Sequence, residues 1–363
     1  MRNKISKYEA RLLAAKLNMQ AGLNFVEQDI PSYIISSWRR SRSHGILTTD
    51  EKLIAADQAR YVIDDNDRYL AEVVGDEIEA IWDSFGGDNW VVYCTNSQAL
   101  IIKAKHGSNP FSKSYAINEG LRIQECDIGT TAPSLALKEK QSLTLTAAEH
   151  YLEEFKNMFC CAAPIWGPWG KILGTLNITG SENFRSRLVE KKIQTAAMKI
   201  ENRLFIETHK NNQILKIHFD QEFINSHLAG LIAINEFGDI LSASRNSLEM
   251  LEDIDPIHKR HDIGDIFFSD IVPTGQYCLK STMRNGVVFY IQNHQNDGAR
   301  PMDFMAAHGV RSGGSVRELS DLHVIETVKR TNGNISKAAE KLGLSRTTIY
   351  RVLHRQRGAP TAR

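Results

Sequence analysis

The C-terminal end of the chain concentrates side chains that can bind a polyanion. Residues 311–363 hold eleven Lys or Arg against four Asp or Glu, a balance of +7, whereas residues 1–310 have a balance of −6. Ammonium and guanidinium groups neutralise phosphates, and arginine also forms bidentate hydrogen bonds with guanine. This asymmetry predicts a nucleic-acid-binding tail, although a basic solvated tail would have the same composition.

Such side chains need a helix that presents them, and the spacing of apolar residues predicts three helices. The first begins at Ser320 and ends at the turn formed by residues 331–334. The second spans Ile335 to Leu342, with apolar residues at i, i+3, i+4 and i+7. Ser345 caps the third, whose apolar residues share one face and leave polar and basic residues on the others.

Residues 334–351 resemble the Fis-type helix-turn-helix at the end of sigma-54-dependent activators. In such a module the recognition helix enters the major groove with its N-terminal residues against the bases. We therefore expect base contacts from Arg346, Thr347 and Thr348. Phosphate contacts are expected from Lys337 and Lys341. The further DNA-binding candidates are Ser345, Tyr350, Arg351, His354 and Arg355.

Between about residues 63 and 180, short β-like runs alternate with helical segments. The predicted strands cover residues 90–94, 100–104, 143–145, 161–165 and 172–178. Residues 166–170 contain two glycines and a proline, which predicts a turn between the last two strands. We expect an α+β domain with a central antiparallel sheet.

This region resembles the ligand-binding GAF domain of acetoin-catabolism activators. Residues 37–42 resemble the helix motif that precedes that domain, and residues 127–132 resemble its GTNA-type loop. Residues 149–151 are similar to its EHF element, and residues 161–178 to its paired closing strands. The resemblance implies a GAF-like sensor.

A GAF-like fold implies a largely apolar effector pocket between the sheet and its covering loops. The candidate lining residues are Trp90, Tyr115, Glu125, Thr130, His150 and Cys161. Each of these residues is also compatible with a packed core position. Thr131 stands where the family usually has Asn, and residues 95–97 replace an Asp-bearing turn, so the identity of the effector stays open.

A long charged helix is predicted after Ser181. Its imperfect apolar stripe consists of Leu188, Ile193, Ala197, Ile200, Leu204 and Ile214. This stripe could pair two subunits, or it could pack on its own domain. Residues 228–244 then predict a strand, a turn and a second strand, and together with residues 247–267 they resemble the opening of a PAS domain. Residues 286–291 could complete that sheet.

The expected fold is therefore an α+β multidomain protein with a GAF-like sensor, a PAS-like domain and a C-terminal all-α helix-turn-helix. The predicted organisation is an N-terminal helical segment (1–60), the GAF-like domain (61–182), a connector or dimerisation helix (183–218), the PAS-like domain (219–291), a linker (292–317) and the helix-turn-helix (318–358).

Several function classes find no support in the sequence. No apolar run is long enough for a membrane helix and the N-terminus has no signal-peptide core, so we expect a cytoplasmic protein. The five cysteines lack paired spacing, which argues against disulfides or a zinc site. No GxxxxGK[ST], GxSxG, HExxH or dinucleotide glycine motif occurs, so we expect no catalytic residues, cofactor, metal or ATPase activity.

The predicted function is a ligand-responsive, sequence-specific transcriptional regulator without the ATPase domain of full-length activators. Its expected partners are double-stranded DNA, a small-molecule effector and a second copy of the chain, with RNA polymerase as a further candidate. One alternative is an antagonist or co-regulator that competes with a full-length activator at shared sites. A metabolic enzyme with a basic tail and an architectural DNA protein are rivals, and sequence-indifferent binding would favour the latter.

Overall fold

The computed structural model describes most of the first 294 residues and part of the C-terminal region. The described residues are 6–24, 27, 29–53, 60–85, 89–108, 115, 117–235, 238–251, 261–267, 278–283, 285–294, 324–325, 327–329, 331, 333–342, 346, 349–350 and 353. The contacts divide the chain into two compact units, residues 1–302 and 303–363.

The first unit contains two antiparallel sheets. The strands of the first sheet are β1 (Trp90–Asn96), β2 (Ile101–His106), β3 (Leu143–Thr146), β4 (Met158–Trp166) and β5 (Ile172–Ser181). Their order is β2-β1-β5-β4-β3. The predicted hairpin around residues 166–170 is confirmed, since β4 and β5 pair from Met158 opposite Ser181 to Trp166 opposite Ile172.

Helices cover both faces of this sheet. They are α1 (Lys7–Gln20), α2 (Ser32–Ser43), α3 (Asp65–Val73), α4 (Gly75–Phe85), α5 (Glu125–Ile128), α6 (Ala132–Glu139) and α7 (Arg187–Thr208). Because successive strand residues point to opposite faces, Tyr93 of β1 joins a core with α1, α2 and α6, whereas Val92 joins a second core with α3, α4 and α7.

The N-terminal helices are part of the first domain. Leu12 of α1 and Trp38 of α2 are buried in the same core as Tyr93. The predicted division at residue 60 therefore separates no independent segment, because the sheet face that α1 and α2 cover would otherwise expose apolar side chains to water.

The predicted connector helix is shorter than expected, and its apolar stripe packs on its own domain. Helix α7 ends at Thr208, and its stripe is buried against the first sheet from Ile193 to Leu204. Leu188, at the start of the predicted stripe, is 70% exposed. The structure thus agrees with the second of the two predicted arrangements, packing on the same domain, because the stripe is already occupied.

The second sheet follows directly after α7. Its strands are β6 (Gln213–His218), β7 (Gly230–Ile234), β8 (Ile240–Ala243), β9 (Leu279–Thr282) and β10 (Val288–Asn293). Their order is β8-β7-β6-β10-β9. Helices α8 (Arg245–Met250) and α9 (Ile263–Ile266) accompany it.

The predicted β7–β8 hairpin is present, but the predicted boundary at residues 218 and 219 is wrong. Residues 213–218, assigned to the connector helix from the sequence, form the middle strand of the second sheet. Ile214 therefore lies in a strand. The other end also differs, because β10 continues to Asn293, beyond the predicted start of the linker at residue 292.

The second unit contains helix α10 (Ile335–Leu342). Val324, Val328, Ala338, Ala339 and Ile349 form a small apolar core, with Ile325, Ile335 and Leu353 partly buried against it. Most of the predicted linker lies outside the described residues. Within the part of the chain that the structure describes, no helix combines the length and the apolarity needed to cross a membrane.

Candidate functional site

The described part of the C-terminal unit has the packing expected of a helix-turn-helix. Ala338 of α10 and Ile349, in a later helical segment, are completely buried in one core. Gly333 has φ +80°, a left-handed conformation that glycine adopts without strain. Asn334 Oδ1 then accepts from Lys337 N at 3.1 Å and caps α10, so the turn predicted at residues 331–334 is present.

The side of these helical segments away from the core carries basic and polar side chains. Lys337 and Lys341 on α10 are exposed, and so are Arg346 and Tyr350. The other DNA-binding candidates, Ser345, Thr347, Thr348, Arg351, His354 and Arg355, lie outside the described residues. Both residues expected to contact phosphates, Lys337 and Lys341, and one of those expected to contact bases, Arg346, are therefore at the surface.

A small cavity lies within the core between the first sheet and its α1–α2–α6 side. Its volume is about 20 Å³, enough for one water molecule. The lining residues are Leu53, Tyr93, Ile117, Ile123, Ile128, Thr131, His150, Phe155, Met158, Cys160 and Thr179. The polar lining atoms include the Tyr93 hydroxyl, which lies 3.4 Å from Thr179 Oγ1.

His150 is the sequence-predicted effector residue that lines this cavity. Its side chain is completely buried, and Nδ1 lies 3.1 Å from the carbonyl oxygen of Ala147. This contact assigns the proton to Nδ1, so Nε2 is an acceptor, and Nε2 has no hydrogen-bond partner in the described part of the chain. Burial, with a smaller contribution from the charge of Lys16, lowers the pKa of His150 to about 3 against the opposing effect of the Ala147 contact, so the ring is neutral at physiological pH.

The N-terminal helices hold the turn that carries His150. Lys16 of α1 is buried and donates to the carbonyl oxygen of His150. Trp38 of α2 donates from Nε1 to the carbonyl oxygen of Glu149 at 2.9 Å, and Tyr8 donates to the Glu149 carboxylate at 2.9 Å. The orientation of the imidazole thus depends on α1 and α2.

Glu125 and Thr130 belong to a polar network beside the cavity. Arg40 donates to both carboxylate oxygens of Glu125 at 2.6 and 2.7 Å, and Ser37 Oγ donates to Oε1 at 2.6 Å. Ser37 Oγ also lies 2.7 Å from Thr130 Oγ1. Burial opposes ionisation of Glu125, but the hydrogen bonds from Arg40 and Ser37 outweigh it and lower the pKa of the carboxyl. The network joins α2 to the start of α5 and the loop after it.

Three further candidates lie away from the cavity lining. Tyr115 is half-buried on the face of the sheet that α1, α2 and α6 cover, and it donates to the carbonyl oxygen of Glu154 at 3.1 Å. Trp90 and Cys161 point to the opposite face of the sheet, into the core shared with α7. Trp90 and Cys161 therefore do not line this small cavity, because a strand sends neighbouring residues to opposite faces.

The sequence prediction missed Tyr93, Cys160 and Thr179 as lining residues. Tyr93 is three residues after Trp90, and Cys160 directly precedes Cys161. Tyr93 and Cys160 therefore lie on the opposite face of the sheet from Trp90 and Cys161, the two residues proposed from the sequence. Burial raises the pKa of Cys160 to about 12, which keeps this thiol protonated. No cluster of potential metal ligands occurs among the described residues.

Comparisons with known proteins identify the C-terminal module and show similarity to bacterial transcriptional regulators. Residues 316–355 match the family described as Bacterial regulatory protein, Fis family. The chain is 25% identical over 189 residues to the acetoin catabolism regulatory protein of Cupriavidus necator, which covers 50% of this chain and 28% of that protein. It is 22% identical over 236 residues to a signal-transduction and transcriptional-control protein of Clostridium beijerinckii, which covers 63% and 37%.

Among solved structures, the crystal structure of the E. coli DhaR(N)–DhaL complex matches with a TM-score of 0.45 and 15% identity, over 72% of this chain and 99% of that chain. The chain spans only 28% and 37% of the two curated relatives. The family match confirms the Fis-type helix-turn-helix, and the relative from Cupriavidus necator confirms the similarity to acetoin-catabolism regulators. Residues 294–315, between β10 and the Fis match, are too few for an ATPase domain.

Proposed function

We propose that this protein is a sequence-specific DNA-binding transcriptional regulator that responds to a small effector and works without ATP hydrolysis. The observation that carries the proposal is the C-terminal unit, where basic side chains are exposed opposite a buried apolar core inside a match to the Fis family. A helix with this arrangement fits the major groove, and the excess of seven positive charges over residues 311–363 favours phosphate binding.

The experiment that tests this proposal compares Arg346→Ala with Lys341→Ala. DNA fragments selected by the wild-type chain are titrated alongside random duplexes at several salt concentrations. If Arg346 forms a bidentate contact with a base, Arg346→Ala costs about 1–3 kcal/mol on the selected site and relaxes base preference. Lys341→Ala should weaken both kinds of DNA equally and reduce the salt slope by about one.

The exposed residue Lys191 on α7 offers a control, because it belongs to the other unit and Lys191→Ala should leave DNA binding unchanged. Equal losses on selected and random DNA for both C-terminal variants would argue for an architectural protein. If neither the wild type nor the variants bind duplex DNA at low salt, the proposal is wrong.

We further propose a homodimer that places two recognition helices about one helical turn of DNA apart. Since the α7 stripe is buried on its own domain, the subunit contact must use another surface. The absence of space for an ATPase domain between β10 and residue 316 favours a second candidate role, competition with a full-length activator at shared sites. Footprinting with both proteins separates the two roles.

The cavity beside His150 is the proposed effector site. Nε2 of His150 offers a buried acceptor without a partner in the described residues, which a ligand hydroxyl would satisfy. The cavity volume of about 20 Å³ is smaller than the volume of any four-carbon compound, so binding must displace apolar side chains that line the cavity. Small ligands are therefore favoured over bulky ones.

Acetoin and 2,3-butanediol are suitable probes, because the relative from Cupriavidus necator is named for acetoin catabolism. Binding is expected to raise the melting temperature of the full chain. His150→Phe fills space and removes the acceptor, so affinity for the active probe should fall about tenfold, the equivalent of one hydrogen bond. His44→Phe, at an exposed position, should respond as the wild type does. An undiminished response of His150→Phe would place the effector elsewhere.

A further inference from the structure

A second, larger cleft lies between α7 and the second sheet, away from the cavity beside His150. Its volume is about 400 Å³, which is sufficient for a small organic molecule. The lining residues are Lys199, Asn202, Arg203, Ile206, Glu207, Lys216, Asn225, Ser226, His227, Ala229, Leu231 and His294. Polar and positively charged groups thus converge on a cleft that both domains of the first unit build.

Lys216 is the cation in this cleft that lacks an acidic partner. It lies in β6, directly opposite Gln292 of β10, and its Nζ donates to Asn225 Oδ1 at 3.2 Å. It forms no salt bridge with any carboxylate of the described residues. Burial lowers the pKa of Lys216, and no neighbouring carboxylate compensates for the lost hydration.

The other cations of the cleft are already paired. Lys199 Nζ lies 3.3 Å from Glu77, and Arg203 contacts Asp76 at 2.8 Å and Glu207 at 3.1 Å. On the α7 side two cations thus face three carboxylates, Glu77, Asp76 and Glu207. On the sheet side Lys216 has no carboxylate within salt-bridge distance among the described residues.

The strands of the second sheet offer no acidic side chain that could pair with Lys216. None of the strands β6 to β10 contains Asp or Glu. Because directly opposed residues share a face, Gln292 and Tyr290 of β10 lie on the same face as Lys216, and Lys280 of β9 lies opposite Tyr290. This face is apolar where α7 covers it, at Ile214 and neighbouring residues, and cationic beyond.

His227 lines the same cleft as an uncharged imidazole at neutral pH, so it offers hydrogen bonding rather than positive charge. Burial lowers the pKa of His227, and the charge of Lys199 lowers it further. Its carbonyl oxygen accepts from Asn202 of α7 at 3.0 Å and from Asn246 of α8 at 3.2 Å, so the backbone at this end of the cleft is fixed between the two domains.

We propose that this cleft binds a small molecule bearing an oxyanion, either a carboxylate or a phosphate, with Lys216 Nζ as its ionic contact and Asn225 and His227 beside it. An oxyanion at this position would replace the hydration that Lys216 loses on folding. Because the walls come from α7 and from the second sheet, a bound anion would also stabilise the contact between the two domains. The site shares no lining residue with the His150 cavity, and all its lining residues belong to the first unit.

The test measures binding of sodium phosphate and of sodium acetate to the full chain by calorimetry and by melting temperature, with sodium chloride at equal ionic strength as the reference. At least one of the two anions is expected to bind saturably by calorimetry and to raise the melting temperature beyond chloride with a matching, saturating concentration dependence, which the general stabilisation by kosmotropic salts does not show. The anion that does so identifies the source as phosphate or carboxylate. If neither anion exceeds chloride, the proposal is wrong.

Lys216→Met retains the aliphatic stem and removes the charge. This variant should bind the active anion at least about tenfold more weakly, the effect of losing one charge-assisted hydrogen bond. Without the anion it should melt no lower than the wild type, because a desolvated charge has been removed. Lys191→Met, on the exposed side of α7, should behave as the wild type. Equal anion affinity in Lys216→Met and wild type would overturn the assignment, whatever the outcome of the DNA-binding experiments.

Discussion

Gly174→Ala is expected to prevent stable folding of the first domain. Gly174 of β5 lies opposite Asn96 of β1, and an added Cβ would stand 1.8 Å from the carbonyl oxygen of Thr95. This oxygen belongs to the backbone and cannot rotate away, so the two strands would have to separate. We expect a destabilisation of more than about 4 kcal/mol, in the range that only a severe core defect produces.

Urea unfolding of the full chain, followed by tryptophan fluorescence, measures this effect. Gly75→Ala is the control, because a Cβ on Gly75 would meet only the end of the flexible Lys103 side chain, with Nζ at 3.0 Å. Gly75 is the first residue of α4 and has no positive φ, so alanine adds no backbone strain there and the urea midpoint of Gly75→Ala should be retained. A soluble Gly174→Ala protein with the wild-type midpoint would contradict the steric argument.

The sequence was most informative where local chemistry determines structure. The β4–β5 hairpin was predicted from two apolar runs around a glycine-rich turn, and Gly170 in that turn indeed has φ +69°. The close approach at Gly174 explains why β5 needs a glycine at this position. That approach depends on the neighbouring strand β1, however, and no local pattern in β5 indicates it.

The sequence could not predict which face of the sheet each strand residue occupies. The burial pattern of β1 is continuous from Trp90 to Thr95, so apolar alternation could not show which residues face the cavity. A difference of one residue moves a side chain to the other face, which is why Cys160 lines the cavity and Cys161 does not.

The error at β6 has a similar origin. Ile214 continues the spacing of the α7 stripe, and no glycine or proline interrupts residues 209–212. The adjacent asparagines at 211 and 212, followed by Ile214 and Ile217, were the available signal for a turn and a strand. The packing of α1 on the first sheet could not be predicted from a local sequence pattern, because Lys16 contacts His150 more than a hundred residues away along the chain.

The second large effect is expected from Arg40→Met, which leaves the Glu125 carboxylate buried without its principal partner. The side chains of Glu125 and Arg40 are 10% and 27% exposed. Removing one partner of a buried ion pair costs about 3–5 kcal/mol. We expect about 3 kcal/mol, at the lower end, because Arg40 is partly solvated and Lys138 Nζ lies 3.9 Å from Glu125.

The neighbouring residue supplies a matched control. Arg39 pairs with Glu27 at the surface, where the two side chains are 57% and 47% exposed. Exposed pairs contribute about 0–1 kcal/mol, so Arg39→Met should lower the free energy of unfolding by no more than that. Similar losses in Arg39→Met and Arg40→Met would contradict the structural role of the buried pair.

The pH dependence distinguishes the cost of a buried, unpaired Glu125 carboxylate from a simple loss of packing. Without Arg40, burial should raise the pKa of Glu125 above the value of about 4.3 that it has in the unfolded chain. The penalty for ionising the carboxyl then grows as the pH rises above that value and disappears as the pH falls toward it. The difference in unfolding free energy between wild type and Arg40→Met should therefore shrink from neutral pH toward about pH 4.3.

Adding Glu125→Gln should restore most of the stability at neutral pH, because no charge remains to be buried. If the double variant is as unstable as Arg40→Met at every pH, the loss comes from packing of the arginine stem rather than from the ion pair.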